Sequence, residues 1–96
     1  MTIRLSAEAQ QDLRAVWKYS RSRWGLQQAD IYLDQILLRC GWLALNPGLW
    51  RPRPELGEGV HSYPEQRHVI IFREFGEGLL ISRVLHYRMD SGPQLE

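Results

Sequence analysis

The pattern of apolar residues predicts an α+β fold: an N-terminal strand, then an antiparallel helical hairpin packed on a three- to four-stranded antiparallel sheet, in the order β-α-α-β-β-β. Three observations carry this. Two segments beginning near Ala7 and Leu26 repeat their apolar residues at the 3.6-residue period of a helix, with only a residue or two between them. The runs HVIIF and LLISRVL are rich in β-branched and large apolar residues, and FGEG joins them as a Gly-containing turn joins a hairpin. Ninety-six residues, 44% of them hydrophobic, suffice for one core and leave no room for a second domain.

Each element follows from local chemistry. Thr2 to Leu5 is short and partly β-branched, as an edge strand is. Ser6 stands where an N-cap should, with Glu8 in the first turn beside the positive end of the helix dipole, so the first helix starts near Ala7. Ala9, Leu13, Val16, Trp17 and Trp24 make its apolar side, and Gln10, Arg14, Lys18 and Arg21 its wet one. Gly25 ends it as a left-handed residue. The second helix runs from Leu26 or Gln27 to about Leu45, with Ala29, Leu33, Ile36, Cys40, Leu43 and Ala44 on one stripe and Ile31, Leu38 and Trp42 on another. Asn46-Pro47-Gly48 stops it. Leu49 to Gly59 is then an irregular loop whose Trp50 either folds back onto the domain, the commoner case, or stands out as a binding anchor. Val60 to Tyr63 is a short strand interrupted by Pro64, and the hairpin completes the order.

The apolar surface exceeds what these elements hide. The second helix cannot satisfy both stripes against one neighbour, so it is sandwiched between the first helix and the sheet or it awaits a partner. Strict alternation sets Val69 and Ile71 against Ile70 and Phe72, and Leu79, Ile81 and Leu85 against Leu80 and Val84. Both sheet faces are then apolar while two helices cover only one, and the uncovered face predicts a second chain.

Composition excludes several classes. Twelve basic against eleven acidic residues give +1, too little for a field that coats nucleic acid, although eleven of the basic residues are Arg, suited to carboxylates, phosphates and aromatic faces. No apolar run approaches ~20 residues, and the start lacks the basic-then-apolar pattern of a signal peptide, so a cytoplasmic protein with no membrane span is expected. The single Cys40 lies on the apolar side of a helix, as a buried inert thiol does. His61, His68 and His86 lack metal-ligand spacing, and no phosphate or dinucleotide glycine motif occurs, so neither metal nor cofactor is expected.

The polar residues that remain gather where the last strand ends. His86, Tyr87, Arg88 and Asp90 follow Leu85 within five positions, and Arg67, His68 and Arg83 belong to the same hairpin. Metal-free RNA cleavage needs a base, an acid and cations around the phosphorane, which His86 with Arg67, Arg83 and Arg88 supplies only in part. Arg83 and His86 have opposite parity and point to opposite faces unless a bulge intervenes. His68 reads as a strand-start residue bonded within the sheet.

Taken together these residues form a family pattern. The stretch LSAEAQQDLRAVWKYSRSRWGLQQADIYLDQI resembles the N-terminal helical hairpin of ParE toxins, in the wider RelE/ParE group of toxin–antitoxin systems, through Ala9, Asp12, Leu13, Tyr19, Ser20, Trp24, Gly25, Ala29 and Tyr32. Asn46-Pro47, Arg51-Pro52, LGEGVHSYP, RHVIIFR and above all RVLHYRMD are similar to the remaining signatures, so the resemblance spans nearly the whole chain. It implies a cytoplasmic bacterial toxin that traps DNA gyrase on broken DNA by binding, is not itself a catalyst, and reads no DNA sequence directly. It further implies a ParD-type antitoxin wrapping the toxin, which would answer the excess of apolar surface. On this reading Arg67, His68, Arg83, His86, Arg88 and Asp90 are candidates for inhibiting the target, and Trp17, Ile31, Leu38, Trp42, Trp50, Ile70 and Phe72 for holding the antitoxin. The alternative is the RelE-type activity, cleavage of messenger RNA on the ribosome, with His86 as acid or base and Arg83 and Arg88 on phosphate. Three departures stand out: Trp50 where relatives often have Gly, His61 where they often have Arg, and Phe72 for the usual Tyr. The first alters antitoxin packing, and the others remove polar groups that a nuclease could use.

Overall fold

A computed structural model describes residues 2–90. Strand β1 (Ile3–Leu5) leads into helix α1 (Ala7–Trp24) and helix α2 (Leu26–Leu45), followed by β2 (Arg51–Pro52), β3 (His61–Glu65), β4 (His68–Phe75) and β5 (Gly78–His86). The helix ends are where local chemistry puts them. The Ser6 hydroxyl accepts the Ala9 N–H at 2.9 Å and donates to the Ser82 carbonyl at 2.8 Å, so one side chain both caps α1 and ties it to the sheet. Gly25, at φ +95°, alone separates the two helices; it donates to Arg21 O and accepts from Ala29 N. A residue with a Cβ would be strained there, which is why the hairpin turns on glycine.

The α+β class and the helical hairpin on a sheet stand as expected, and the sheet itself is richer. It has five strands in the order β1-β5-β4-β3-β2, and β1 runs parallel to β5 with Ile3 opposite Leu79 and Leu5 opposite Ile81. The two helices form the crossover that a parallel pair requires. The extra strand β2 lies inside the loop expected to be irregular, pairing Arg51 with Ser62 and Pro52 with His61. Pro64 does not interrupt β3. It pairs with Val69 beyond the reach of β2, where no N–H is needed on the outer side.

Ile36, Leu43, Ile70, Phe72, Leu79 and Ile81 are fully buried between the helices and the sheet, each contributing roughly 1.5–3 kcal/mol by the usual transfer values. A bulge decides which residues these are. Ile71 pairs with Arg83 and Phe72 with Ile81, leaving Ser82 as the extra residue in β5. Alternation resets there, so Val84 joins Leu79 and Ile81 in the core, contrary to strict parity, and Leu85 stays half-buried outside it.

The opposite sheet face is not bare. Ile71 and Ser62 on it are buried, and Val69, Leu80 and Leu85 are half-buried. The segment between β2 and β3 reaches this face: Arg53 bonds the Ser62 hydroxyl, and Gly57 lies beside Val60 and Arg73. The expectation of a wholly uncovered apolar face is therefore corrected, because Ile71 and Ser62 on it are buried and a loop that sequence patterning treats as a connector folds against part of it. No helix among the described residues is long and apolar enough to cross a membrane.

Candidate functional site

At the end of β5 the chain enters a 3-10 turn, Tyr87–Met89, which leaves Tyr87 52% and Met89 56% exposed. Beneath it, His68 sits directly across the ladder from His86, their rings edge to face at 5.5 Å. The buried Tyr32 hydroxyl lies 2.6 Å from His68 Nδ1. Burial pushes the His68 imidazole down to about 4, with the charges of His86 and Arg67 adding to the effect, and burial raises the Tyr32 phenol. The same Tyr32 hydroxyl donates to the Glu65 carbonyl at 3.3 Å, so the phenol bridges the His68 ring and the backbone of β3. His68 is thus a bonded sheet residue, as its position at the strand start suggested. His86 Nδ1 accepts the Arg88 N–H at 3.2 Å, and its ring lies against Tyr87 at 4.6 Å. A groove of about 330 Å³ opens here between α1 and the strand end, lined by Asp12, Val16, Tyr19, His68, His86 and Met89.

The charged candidates divide. Arg83 is held by Asp12 through two bonds, at 2.8 and 3.1 Å, and the same carboxylate accepts the Val84 N–H at 2.9 Å. That hydrogen-bonded carboxylate raises the Arg83 pKa further. Asp90 accepts two bonds from Arg53, both at 2.9 Å. Arg67 and Arg88 are exposed and make no carboxylate pair among the described residues; Arg67 lies over the Trp24 ring at 5.1 Å and Arg88 Nε donates to the Tyr87 hydroxyl at 3.2 Å. The strand end consequently presents cations against aromatic rings, a surface suited to recognition. Acid–base work would fall to His86 alone, with Arg83 engaged elsewhere. No three His, Cys, Asp or Glu side chains converge as metal ligands among the described residues, and Cys40 is buried with its thiol pushed up to about 12 by desolvation.

The residues expected to hold a partner separate as well. Ile31 and Leu38 are 42% and 74% exposed on α2, and Leu45, seven positions further on, extends the stripe. Its i+7 spacing from Leu38 is the signal in the sequence that marks it. Trp42 is half-buried against Tyr63 and Arg39, so the second stripe of α2 is satisfied at one end and open along the rest. Trp17 is half-buried, its Nε1 donating to Asp30 at 2.8 Å, and it lines an apolar groove of about 440 Å³ with Leu5, Leu13, Leu33 and Leu37, rimmed by Arg14 and Lys18. Trp50 folds back: its Nε1 donates to Leu43 O at 2.7 Å and its ring meets Phe72 and His61. Ile70 and Phe72 have no exposed surface, which corrects their assignment as contact residues; α1 and α2 cover that sheet face. Nothing local marks Asp12, Tyr32 or Arg53 as the groups that lock Arg83, His68 and Asp90, because each pair is separated by at least 36 positions.

The family model described as "ParE toxin of type II toxin-antitoxin system, parDE" matches residues 3–91. Toxin ParE1 of Caulobacter vibrioides is 35% identical over 92 residues, covering 96% of this chain and 95% of that protein. Toxin ParE1 of Mycobacterium tuberculosis is 36% identical over 87 residues, covering 90% and 89%. Among solved structures, a chain of the chromosomal ParDE system from P. aeruginosa superposes with a TM-score of 0.76 at 22% identity, over 90% of this chain and 95% of that one.

Proposed function

The chain belongs to the ParE toxin family of type II toxin–antitoxin systems, and on that premise we propose that it inhibits DNA gyrase by binding, stabilising the enzyme on cleaved DNA, and is neutralised by a ParD-like antitoxin. The protein acts in the cytoplasm as a ligand of its target and carries out no chemistry of its own. One observation supports this above the others. Of the six side chains grouped around the strand end, Arg83 and Asp90 are engaged in ion pairs and His68 in a bond to Tyr32, so the cations that make no carboxylate pair among the described residues are Arg67 and Arg88, set beside the half-buried His86 and the exposed Tyr87. The exposed Ile31 and Leu38 stripe and the Trp17 groove supply apolar surface for the antitoxin.

Purified gyrase tests the reading. Loss of supercoiling with accumulation of linear or nicked DNA is the expected result, and removal of the chain after Leu85 should abolish it while antitoxin affinity is kept. Unchanged supercoiling together with codon-positioned cuts in ribosome-bound messenger RNA would overturn it in favour of the RelE-type activity, in which His86 is the acid or base. Equal loss of inhibition and antitoxin affinity on truncation would mark a folding defect and remove the strand end from the inhibitory surface.

A further inference from the structure

The turn that carries Tyr87, Arg88 and Met89 needs an anchor. Within it the bonds are local: Asp90 N to Tyr87 O at 3.3 Å and Arg88 N to His86 Nδ1 at 3.2 Å. One backbone bond, Tyr87 N to Arg67 O at 2.8 Å, ties its start to the neighbouring strand turn. Its end is held by Arg53, which lies 37 positions earlier in the β2–β3 segment and grips both oxygens of Asp90. The Arg53 guanidinium is itself immobilised, donating to Glu55 at 2.6 Å and to the Ser62 hydroxyl at 3.1 Å. Its backbone N–H bonds Val60 O at 2.8 Å. The two side chains are only 17% and 12% exposed, so the pair is shielded from solvent, and its forked geometry fixes direction as well as distance.

From this geometry we infer that Arg53 is a positioning residue for target inhibition: with Asp90 it forms a clasp that holds the exposed 87–89 turn in the orientation the target meets. The inference rests on the proposed role of the strand end. Both side chains of the clasp are largely buried, whereas Tyr87, Arg88 and Met89 of the turn are exposed. The loop that folds against part of the back of the sheet and the turn that presents the recognition surface are thereby one mechanical unit.

Three variants of the full chain test this: Arg53→Met, Asp90→Asn and Arg53→Lys. Asp90→Asn keeps side-chain volume and leaves the Arg53 bonds to Glu55 and Ser62 in place, so it isolates the clasp where Arg53→Met also loosens the loop. Growth arrest on induction, gyrase inhibition and antitoxin affinity are measured for each. Arg53→Met and Asp90→Asn should lose roughly tenfold or more in arrest and inhibition, the scale of one shielded charged bond, with antitoxin affinity held within about threefold. Arg53→Lys, which keeps one of the two bonds, should recover part of the loss. Wild-type potency in Asp90→Asn, or antitoxin affinity falling in step with potency, overturns the inference. A wild-type chain that arrests growth without inhibiting gyrase overturns the choice of target instead, and the clasp is then judged on growth arrest alone.

Discussion

His68 shows how a residue can look catalytic and be structural. It is held at about 4 in the fold against 6.5 when unfolded, chiefly because burial penalises the imidazolium. Between those values the unfolded chain binds a proton that the folded one refuses, so stability climbs as pH rises from about 4 to 6.5 and is level above. His68→Gln, which keeps a polar but non-titrating partner for the Tyr32 hydroxyl, should flatten that limb of the curve of thermal midpoint against pH. An identical slope in the variant would show that other groups produce it. The sequence identified His68 as a sheet residue from its place at a strand start, yet Tyr32 as its partner was invisible, since a hydrogen bond over 36 positions leaves no local trace. Trp50 behaves likewise. Its inward fold was the ordinary expectation for a loop Trp, while its acceptor, the Leu43 carbonyl in the last turn of α2, was set by tertiary packing.

At the scale of elements, two substitutions separate surface from core. Leu38→Lys, on the exposed stripe of α2, should weaken antitoxin binding by roughly 1–3 kcal/mol with little change in thermal midpoint, as truncation of a contact anchor does. Phe72→Ala should cost about 3–5 kcal/mol of folding stability, because it empties a site with no exposed surface. Unaltered affinity in Leu38→Lys, measured by calorimetry, would take the stripe out of the interface. The β1–β5 pairing supplies another test. A Cβ on Gly78 would stand 1.8 Å from the Thr2 carbonyl oxygen, so Gly78→Ala must open the parallel pair. A loss of about 1–3 kcal/mol is expected, with faster hydrogen exchange at the Leu79 N–H that bonds Thr2. Gly48→Ala, which meets nothing within 4 Å, is the control, and equal effects of the two would dismiss the close approach as the cause.

Over the whole molecule, the excess apolar surface is real but lies elsewhere than patterning placed it. The back of the sheet is partly covered by the β2–β3 segment, and the open surface is the outer face of the helical hairpin. An antitoxin that binds only the folded chain should then stabilise it by mass action. At a hundredfold excess over Kd the gain is about 2.7 kcal/mol, or on the order of 10–20 °C in the midpoint of a domain this size. A midpoint indifferent to the antitoxin at that excess would count against a partner that grips the native helical face.

By itself the sequence determined the α+β class, the two helices with their Ser6 cap and Gly25 break, and the hairpin strands. Those features arise from periodicity and capping that act within a few residues. Tertiary structure alone decided the parallel pairing of β1, the Ser82 bulge that moved Val84 into the core, and the Asp12–Arg83 and Arg53–Asp90 ion pairs near the strand end. Each depends on chain segments far apart in sequence meeting at ångström distances. A single extra residue in one strand was enough to exchange its faces, and nothing in its neighbours' chemistry announces that.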